Sequence, residues 1–351
     1  MDLLKSLIIV SEKAANIARL CRRNQHLFNL LIQKKSSKEA NPRFVDDFKT
    51  LADVLIQELV KNQIGKQFPE LQRSIKGEEN NIFSNQLGET IQVEVKESEE
   101  ETAALLQVVL NEDARAAQLL AREVHRDVSL DEVTTQKAPA EDFIINLQNS
   151  GVWIDPIDST AEYINGIEEV SNTGISISGL KCVTVLIGVF DKTTGLPLIG
   201  VVNQPFVTQD GDQWKGECFW GGPAESSLPP APAVTKTVCV SSSENPAPIS
   251  KLQEKGYNIT EASGAGYKIL AVVKGLADAY VLSKDSTFKW DTCGPQAILR
   301  SLGGDVVVFS EAVRKQVVSV KYDEGSGSCN CGGIIAYRKS AVLEDVIECL
   351  T

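Results

Sequence analysis

Residues 153–160 read Trp-Ile-Asp-Pro-Ile-Asp-Ser-Thr, two carboxylates three positions apart on a turn that Pro156 stiffens by fixing its own φ and withholding a backbone donor. Val152, Trp153 and Ile154 read as the end of a buried strand, and Ser159-Thr160 can open a helix. Asp155 and Asp158 offer charged oxygens and the Ile157 carbonyl a neutral one, a donor set that suits a hard cation. The amides and hydroxyls of Ser159 and Thr160 can meet an anion at the helix start, so metal and phosphate could share one turn. Three further acidic spots stand out: Asp53, the Glu78-Glu79 pair behind Gly77, and Asp291 behind Trp290. Singly, each has an ordinary reading: a solvated helix side chain, a surface pair, a helix cap. The ordered combination is what points to chemistry.

The composition frames that chemistry. At 351 residues, 42% hydrophobic and 23% charged, the chain can bury one large core or two moderate ones. A net charge of −12 and a pI near 4.9 disfavour a nucleic-acid polymer or an anionic membrane as partner. A polyanionic small molecule stays open, provided divalent metals stand between it and the carboxylates. No apolar run approaches the roughly 18 residues of a membrane span. The eight cysteines (Cys21, Cys182, Cys218, Cys239, Cys293, Cys329, Cys331, Cys349) show no Cys-x-x-Cys spacing and no signal-peptide pattern before them, which fits reduced thiols and a cytoplasmic location. Cys329-x-Cys331 reads as a loop. His26 and His125 lie in polar, helical surroundings far from the motif turn and read as surface residues, so no histidine base is expected. Trp153, Trp214, Trp220 and Trp290 read as core or hairpin packing, and Lys192 and Lys236 as surface cations. Gly303-Gly304 and Gly325-Ser-Gly327 are turns without the Lys-Ser/Thr of a phosphate loop.

The elements that must position these groups follow from periodicity. Leu3 to Ile32 carries apolar residues at helical spacing, one long or two consecutive helices, and Lys34 to Pro42 breaks the pattern. A second helix is expected from about Phe44 to Lys61, with Phe48, Leu51, Ala52, Leu55, Ile56 and Leu59 facing the core and Asp53 beside that stripe. A third runs near Thr102 to Leu110, and residues 111–149 read as helix, then loop. Val183–Phe190, Leu198–Asn203 and Trp214–Trp220 suggest an antiparallel meander. Ser226–Pro232 reads as an exposed loop. Strands are expected at Val238–Val240 and Ala279–Leu282, and helices at Ile249–Lys255, at Tyr267–Lys274 behind a Gly264-Ala-Gly266 turn, and through Ala297–Leu302 after Lys289-Trp-Asp291.

Taken with Gly77-Glu-Glu-Asn80, Leu87-Gly-Glu89, Glu99-Glu-Glu-Thr102, Asn203-Gln-Pro-Phe206, Trp214-Lys-Gly-Glu-Cys218, Gly264-Ala-Gly-Tyr-Lys268, Phe288-Lys-Trp-Asp291 and Gly332-Gly-Ile-Ile-Ala-Tyr-Arg338, the turn resembles the lithium-sensitive, Mg²⁺-dependent phosphatase superfamily of inositol monophosphatase and fructose 1,6-bisphosphatase. Within it, Ser159 and these motifs, which span nearly the whole chain, resemble the inositol polyphosphate 1-phosphatase branch. The resemblance implies an α/β fold, a layered α-β-α-β-α sandwich of the sugar-phosphatase type. Its N-terminal part (1–206) would carry most metal ligands and its C-terminal part (207–351) the substrate residues and the last ligand, in one compact unit. It implies Mg²⁺ held by Glu78, Asp155 and the Ile157 carbonyl, a second ion held by Asp155, Asp158 and Asp291, and a further metal or water position lined by Glu79 and Asp53. Thr160 with Asp53 would orient and deprotonate the attacking water, and the Ser159 and Thr160 amides would grip the scissile phosphate. Ser243, Asn245, Gly264, Ala265, Lys268 and Ser286 would hold the rest of the substrate. The implied activity is removal of the 1-phosphate from inositol 1,4-bisphosphate or inositol 1,3,4-trisphosphate by a monomer, inhibited by Li⁺, with Ca²⁺ as an inhibitory substitute. The alternatives are a 3′(2′),5′-bisphosphate nucleotidase and a non-catalytic inositol-phosphate binder. Two departures stand out: Ser243-Glu244-Asn245 where Ser-x-Lys is expected, and Gly294-Pro295, closer to the nucleotidase style.

Overall fold

The N-terminal periodicity folds as α1 (Leu3–Arg23), which Asp2 caps by accepting the Leu4 amide at 3.2 Å. Asn24 ends it and caps a short helix, Gln25–Leu30, so the apolar stretch forms two consecutive helices. The computed structural model describes residues 2–35, 48–85, 87–140, 143–223, 225–229, 234–323, 325 and 327–351. Most of the expected 34–42 break and the expected helix start at Phe44 lie outside these. Phe48 itself is not helical. Phe48–Thr50 pairs antiparallel with Ile32–Lys34, and α2 (Leu51–Gln67) begins only where Thr50 caps it. Ser98 starts α3 (Glu99–Val109) a few residues earlier than expected, and Asp113 caps α4 (Ala114–His125) within the stretch read as helix then loop.

Two sheets follow. The first contains β1 (Ile75–Gly77), β2 (Ser150–Asp158), β3 (Thr184–Asp191), β4 (Pro197–Asp210), β5 (Gln213–Gly222) and β6 (Glu225–Ser226), in spatial order β6-β5-β4-β3-β2-β1. The expected meander is β3-β4-β5, antiparallel throughout, while β1 runs parallel to β2. Residue 206 falls inside β4, and this sheet runs on to Ser226. The Ser226–Pro232 stretch is not simply an exposed loop: Ser226 pairs with Gly221, Ser227 is buried, and residues 230–232 lie outside the described set. The second sheet contains β7 (Thr237–Val240), β8 (Asn258–Glu261), β9 (Ala279–Leu282), β10 (Asp305–Val308) and β11 (Ile334–Tyr337), in order β8-β7-β9-β11-β10, with β8, β7 and β9 parallel.

Helices alternate with these sheets. α1 and α2 pack on the outer face of the first sheet. α5 (Thr160–Asn165) follows β2, and α6 (Pro246–Glu254) with α9 (Ser340–Leu350) covers the outer face of the second sheet. α7 (Ala265–Lys274) and α8 (Lys289–Ser301) fill the space between the sheets, which gives the layered α-β-α-β-α arrangement. Both inner helices start earlier than the sequence suggests, and Asp291 lies inside the first turn of α8 rather than before it. α8 approaches the first sheet at backbone contact. A Cβ on Gly200 would fall 1.9 Å from the Gly294 carbonyl oxygen and one on Gly188 2.4 Å from the Gly294 nitrogen. Gly294 itself is required by this approach, since a Cβ on it would fall 2.8 Å from the Ile187 carbonyl oxygen. Gly200→Ala is expected to destabilise the fold by about 2–4 kcal/mol, read as a lower urea midpoint at unchanged slope.

Candidate active site

Three positions apart on a regular strand, Asp155 and Asp158 would point to opposite faces. β2 is not regular there. Asp155 stands opposite Leu186 and Asp158 opposite Thr184, so three steps on β2 match two on β3, a bulge at Pro156-Ile157. Proline cannot donate to the ladder, which accounts for the extra residue beside it. Because Leu186 and Thr184 share a face, the bulge brings both carboxylates to one side. Ser159 then takes a left-handed conformation (φ 72°, ψ 50°) and turns the chain into α5.

Asp291 arrives from the second half as the third residue of α8, with its Oδ2 accepting the Phe288 amide at 2.6 Å. Phe288 stacks on Trp290 at 4.8 Å, and Trp290 meets Trp153 of β2 at 5.9 Å, which ties the helix start to the strand. Oxygen atoms of Asp155, Asp158 and Asp291 lie within 4.8 Å of one another, and all three residues are buried. Asp158 Oδ2 accepts from the Gly266 amide at 2.9 Å and the Thr184 hydroxyl at 3.2 Å.

Asp53 is built the same way, third in α2. Its Oδ2 accepts the Thr50 amide at 2.7 Å and the Thr50 hydroxyl at 2.6 Å. Capping does not exhaust it. The Thr160 hydroxyl shares its proton between Asp53 Oδ1 at 3.3 Å and the Ile157 carbonyl at 3.2 Å. Asp53 is fully buried rather than set beside the apolar stripe, because α2 is enclosed on most of its circumference.

Glu78 and Glu79 reach the same place through the β1–β2 pairing, the Glu78 amide donating to the Ile154 carbonyl at 3.1 Å. Gln57, one helical turn after Asp53, grips Glu79: its Oε1 accepts the Glu79 amide at 2.9 Å and its own amide donates to the Glu79 carbonyl. Gly77 makes room, since a Cβ there would lie 2.0 Å from Gln57 Oε1. Lys35 places its ammonium 2.6 Å from Glu78 Oε1 and 2.6 Å from Glu79 Oε1.

Burial, with Glu78, Asp158 and Asp291 close by, holds the Asp155 carboxyl well above the usual range; burial and Asp158 do the same for Asp291. Burial also pushes Asp53 up to about 6 against the opposing Thr50 hydrogen bonds, and pushes Glu79 up to about 8, with Glu78 adding and Lys35 opposing. Asp155 Oδ1 is buried with no hydrogen-bond partner among the described residues. Acidic oxygens desolvated together, with Asp155 Oδ1 left without a donor, form a set that divalent cations would complete, so the residues fit the metals the resemblance implies. In the metal-free protein the folded state binds these protons more tightly than the unfolded chain. Stability therefore falls as pH rises through the interval between the two values, from 3.8 to about 6 for Asp53 and from 4.5 to about 8 for Glu79. Calorimetry in chelator is expected to show a melting temperature that drops from pH 5 to pH 8, with saturating Mg²⁺ flattening or reversing the trend.

The other expected residues divide into two groups. Gly264 (φ 76°) and Ala265 begin α7 against the motif turn, where a Cβ on Gly264 would meet Ser159 Oγ at 2.8 Å. Lys268 is buried beneath them: its Nζ donates to the Ala262 carbonyl at 2.9 Å and lies 5.1 Å from the Tyr280 ring, and its charge opposes the upward push of burial on Asp158. Ser243, Asn245 and Ser286 lie on loops leaving the carboxyl ends of β7 and β9, the edge from which α7 and α8 start. The Ser286 hydroxyl is buried and has no hydrogen-bond partner among the described residues. Lys35, Gln57 and Thr184 were not singled out from the sequence. Gln57 alone carried a signal, its one-turn spacing from Asp53.

Elsewhere, His26 is exposed against Asp113 at 2.7 Å, but His125 is half-buried on the Thr102 hydroxyl at 2.8 Å rather than at the surface. Trp153 and Trp220 are buried and Trp290 partly so. Cys331 is exposed and Cys329 half-buried. Cavities of about 450 and 880 Å³, the first beside α1 and β5 and the second beside α3 and α4, contain none of the site residues. No helix among the described residues is long and apolar enough to cross a membrane.

The model of the inositol monophosphatase family matches residues 74–343. The chain is 44% identical over 386 residues to inositol polyphosphate 1-phosphatase of Mus musculus, covering 99% of this chain and 96% of that protein. It is 28% identical over 243 residues to 3′(2′),5′-bisphosphate nucleotidase 1 of Rattus norvegicus, covering 65% and 72%. The fold is similar to that of the Thermotoga maritima IMPase, with a TM-score of 0.56 at 14% identity over 100% of this chain and 97% of that one. Family model, relatives and layered fold agree: the chain belongs to the inositol monophosphatase family.

Proposed function

We propose that the chain is a Mg²⁺-dependent phosphomonoesterase that removes the 1-phosphate of inositol 1,4-bisphosphate and inositol 1,3,4-trisphosphate, with residues 1–206 and 207–351 acting as one unit. The observation that carries the reading is the buried grouping of Asp155, Asp158 and Asp291, set beside Glu78, Glu79 and Asp53, in a chain 44% identical to a named inositol polyphosphate 1-phosphatase. Glu78, Glu79, Asp155, the Ile157 carbonyl, Asp158 and Asp291 would hold the metal, with Asp53 lining a further position. Bound Mg²⁺ supplies neutralisation of the phosphate and a water acidified for attack.

The chain's own groups do the rest. Thr160 Oγ1 accepts a proton from the water while passing its own to Asp53 Oδ1, a base poised near neutrality by its burial. The Ser159 and Thr160 amides begin α5 and face the scissile phosphate, and Gly264 and Ala265 bring backbone donors to the ring. Lys268 sustains the negative charge of Asp158 from beneath. Li⁺ would inhibit, and Ca²⁺ would fill the oxygen site without supporting turnover.

Phosphate release from inositol 1,4-bisphosphate, inositol 1,3,4-trisphosphate and adenosine 3′,5′-bisphosphate, with Mg²⁺ and with or without Li⁺, tests this. Preferential, Li⁺-sensitive turnover of the inositol compounds is expected. Cleavage confined to the nucleotide would replace the reading with the nucleotidase alternative.

A further inference from the structure

Deepening that reading and resting on it, we infer that Lys284 supplies the positive charge that holds the non-reacting phosphate of a bisphosphorylated polyol, with Asn245 and Ser286 as neutral donors. Two loops leave the carboxyl edge of the parallel strands: Ser241–Asn245 after β7, and Ser283–Phe288 after β9, the second running straight into the helix that carries Asp291. Glu244 locks them together. Its buried carboxylate accepts the Ser283 amide at 2.9 Å through Oε2, and the Asn245 amide at 2.6 Å and the Ser283 hydroxyl through Oε1. The Asn245 side chain adds a bond to Ser283 Oγ at 2.6 Å. A carboxylate saturated by donors from both loops makes one platform of them.

Lys284 stands on that platform. It is the sole lysine or arginine in either loop, and its Nζ donates to the Ser243 carbonyl. Among the described residues it forms no ion pair, and the neighbouring acids are engaged elsewhere: Glu244 in the clamp, Asp285 on the Gly332 amide at 2.6 Å. A half-buried ammonium bonded to a single neutral carbonyl has N–H groups to spare. A second phosphate brings about two negative charges to a chain already at −12, so it needs such a local cation. Asn245 has none to offer, and Lys268 is turned to the Ala262 carbonyl and the Tyr280 ring.

Calorimetric binding of inositol 1,4-bisphosphate and inositol 1-phosphate to the full chain in Ca²⁺, beside phosphate release in Mg²⁺, tests this. Lys284→Gln is expected to weaken bisphosphate binding roughly tenfold to a hundredfold, as loss of a charge-assisted bond does, and to leave monophosphate binding within about twofold. Adding Asn245→Lys, which returns a charge to the adjoining loop, is expected to recover most of that loss. No loss, equal loss on both ligands, or no recovery in the double variant would overturn the assignment. Wild-type chain that binds both ligands but releases no phosphate refutes the phosphatase reading and leaves the Lys284 comparison to stand on binding. Chain that binds neither overturns both.

Discussion

Asp155→Asn is expected to raise the melting temperature of the metal-free protein by about 2–5 °C and to lower Mg²⁺-dependent phosphate release at least ~10³-fold. Both effects have one cause. Asp155 sits fully buried among Glu78, Asp158 and Asp291, with Oδ1 lacking a donor among the described residues, so its ionised form is costly in the metal-free protein. Asparagine has the same shape, needs no ionisation and can donate to Asp291. It cannot supply the charge that holds a divalent cation. Wild-type protein should gain stability on Mg²⁺ addition as ligand binding requires, and the variant should gain little. Differential scanning calorimetry in chelator and in Mg²⁺, with a phosphate assay, checks the pair. A variant that melts lower and retains activity within tenfold of wild type would show that Asp155 serves the fold and not the metal.

The second large effect concerns the proton path. Asp53→Asn and Thr160→Ala are each expected to reduce kcat by about 10²–10⁴ with KM changed less than about threefold. The Asp53 variant tests chemistry rather than folding, because Asn Oδ1 can still accept both Thr50 donors and keep the α2 cap to within about 1 kcal/mol. Its amide nitrogen then faces Thr160, where it can donate but not receive a proton. Since the two groups act in series, the double variant should be little worse than either single one, and Thr160→Ser should recover most of the rate. Multiplicative losses, or a Thr160→Ala enzyme within fivefold of wild type, would break the relay.

Much of the fold was legible because local periodicity and tertiary burial agree. The apolar spacing in α1, the apolar runs of β3-β4-β5 and β9 at Ala279–Leu282 all lie in the cores their patterns imply. Legibility failed where a partner distant in sequence decides the outcome. Phe48 fits the helical stripe of α2, yet pairing with the strand at Ile32–Lys34 makes it extended. Asp53 looks like a residue beside a helix stripe until β2 and α5 enclose it. Lys35 has no local pattern at all, since its partners Glu78 and Glu79 lie more than forty positions on. Lys268, which the resemblance assigns to the substrate, is buried in α7 with its Nζ on the Ala262 carbonyl, a placement that no local pattern announces.

The sequence alone determined the chemistry on offer: carboxylates in an ordered set, a proline-stiffened turn, a hydroxyl after the second aspartate, and no histidine where a base is needed. These are properties of residue type and spacing, which a linear chain carries in full. Tertiary structure decided which oxygens meet. The bulge opposite Leu186 and Thr184 puts Asp155 and Asp158 on one face, and glycine contacts let α8 come close enough to deliver Asp291. Register and helix approach depend on strands and backbones far apart in sequence, so no local pattern could have fixed them.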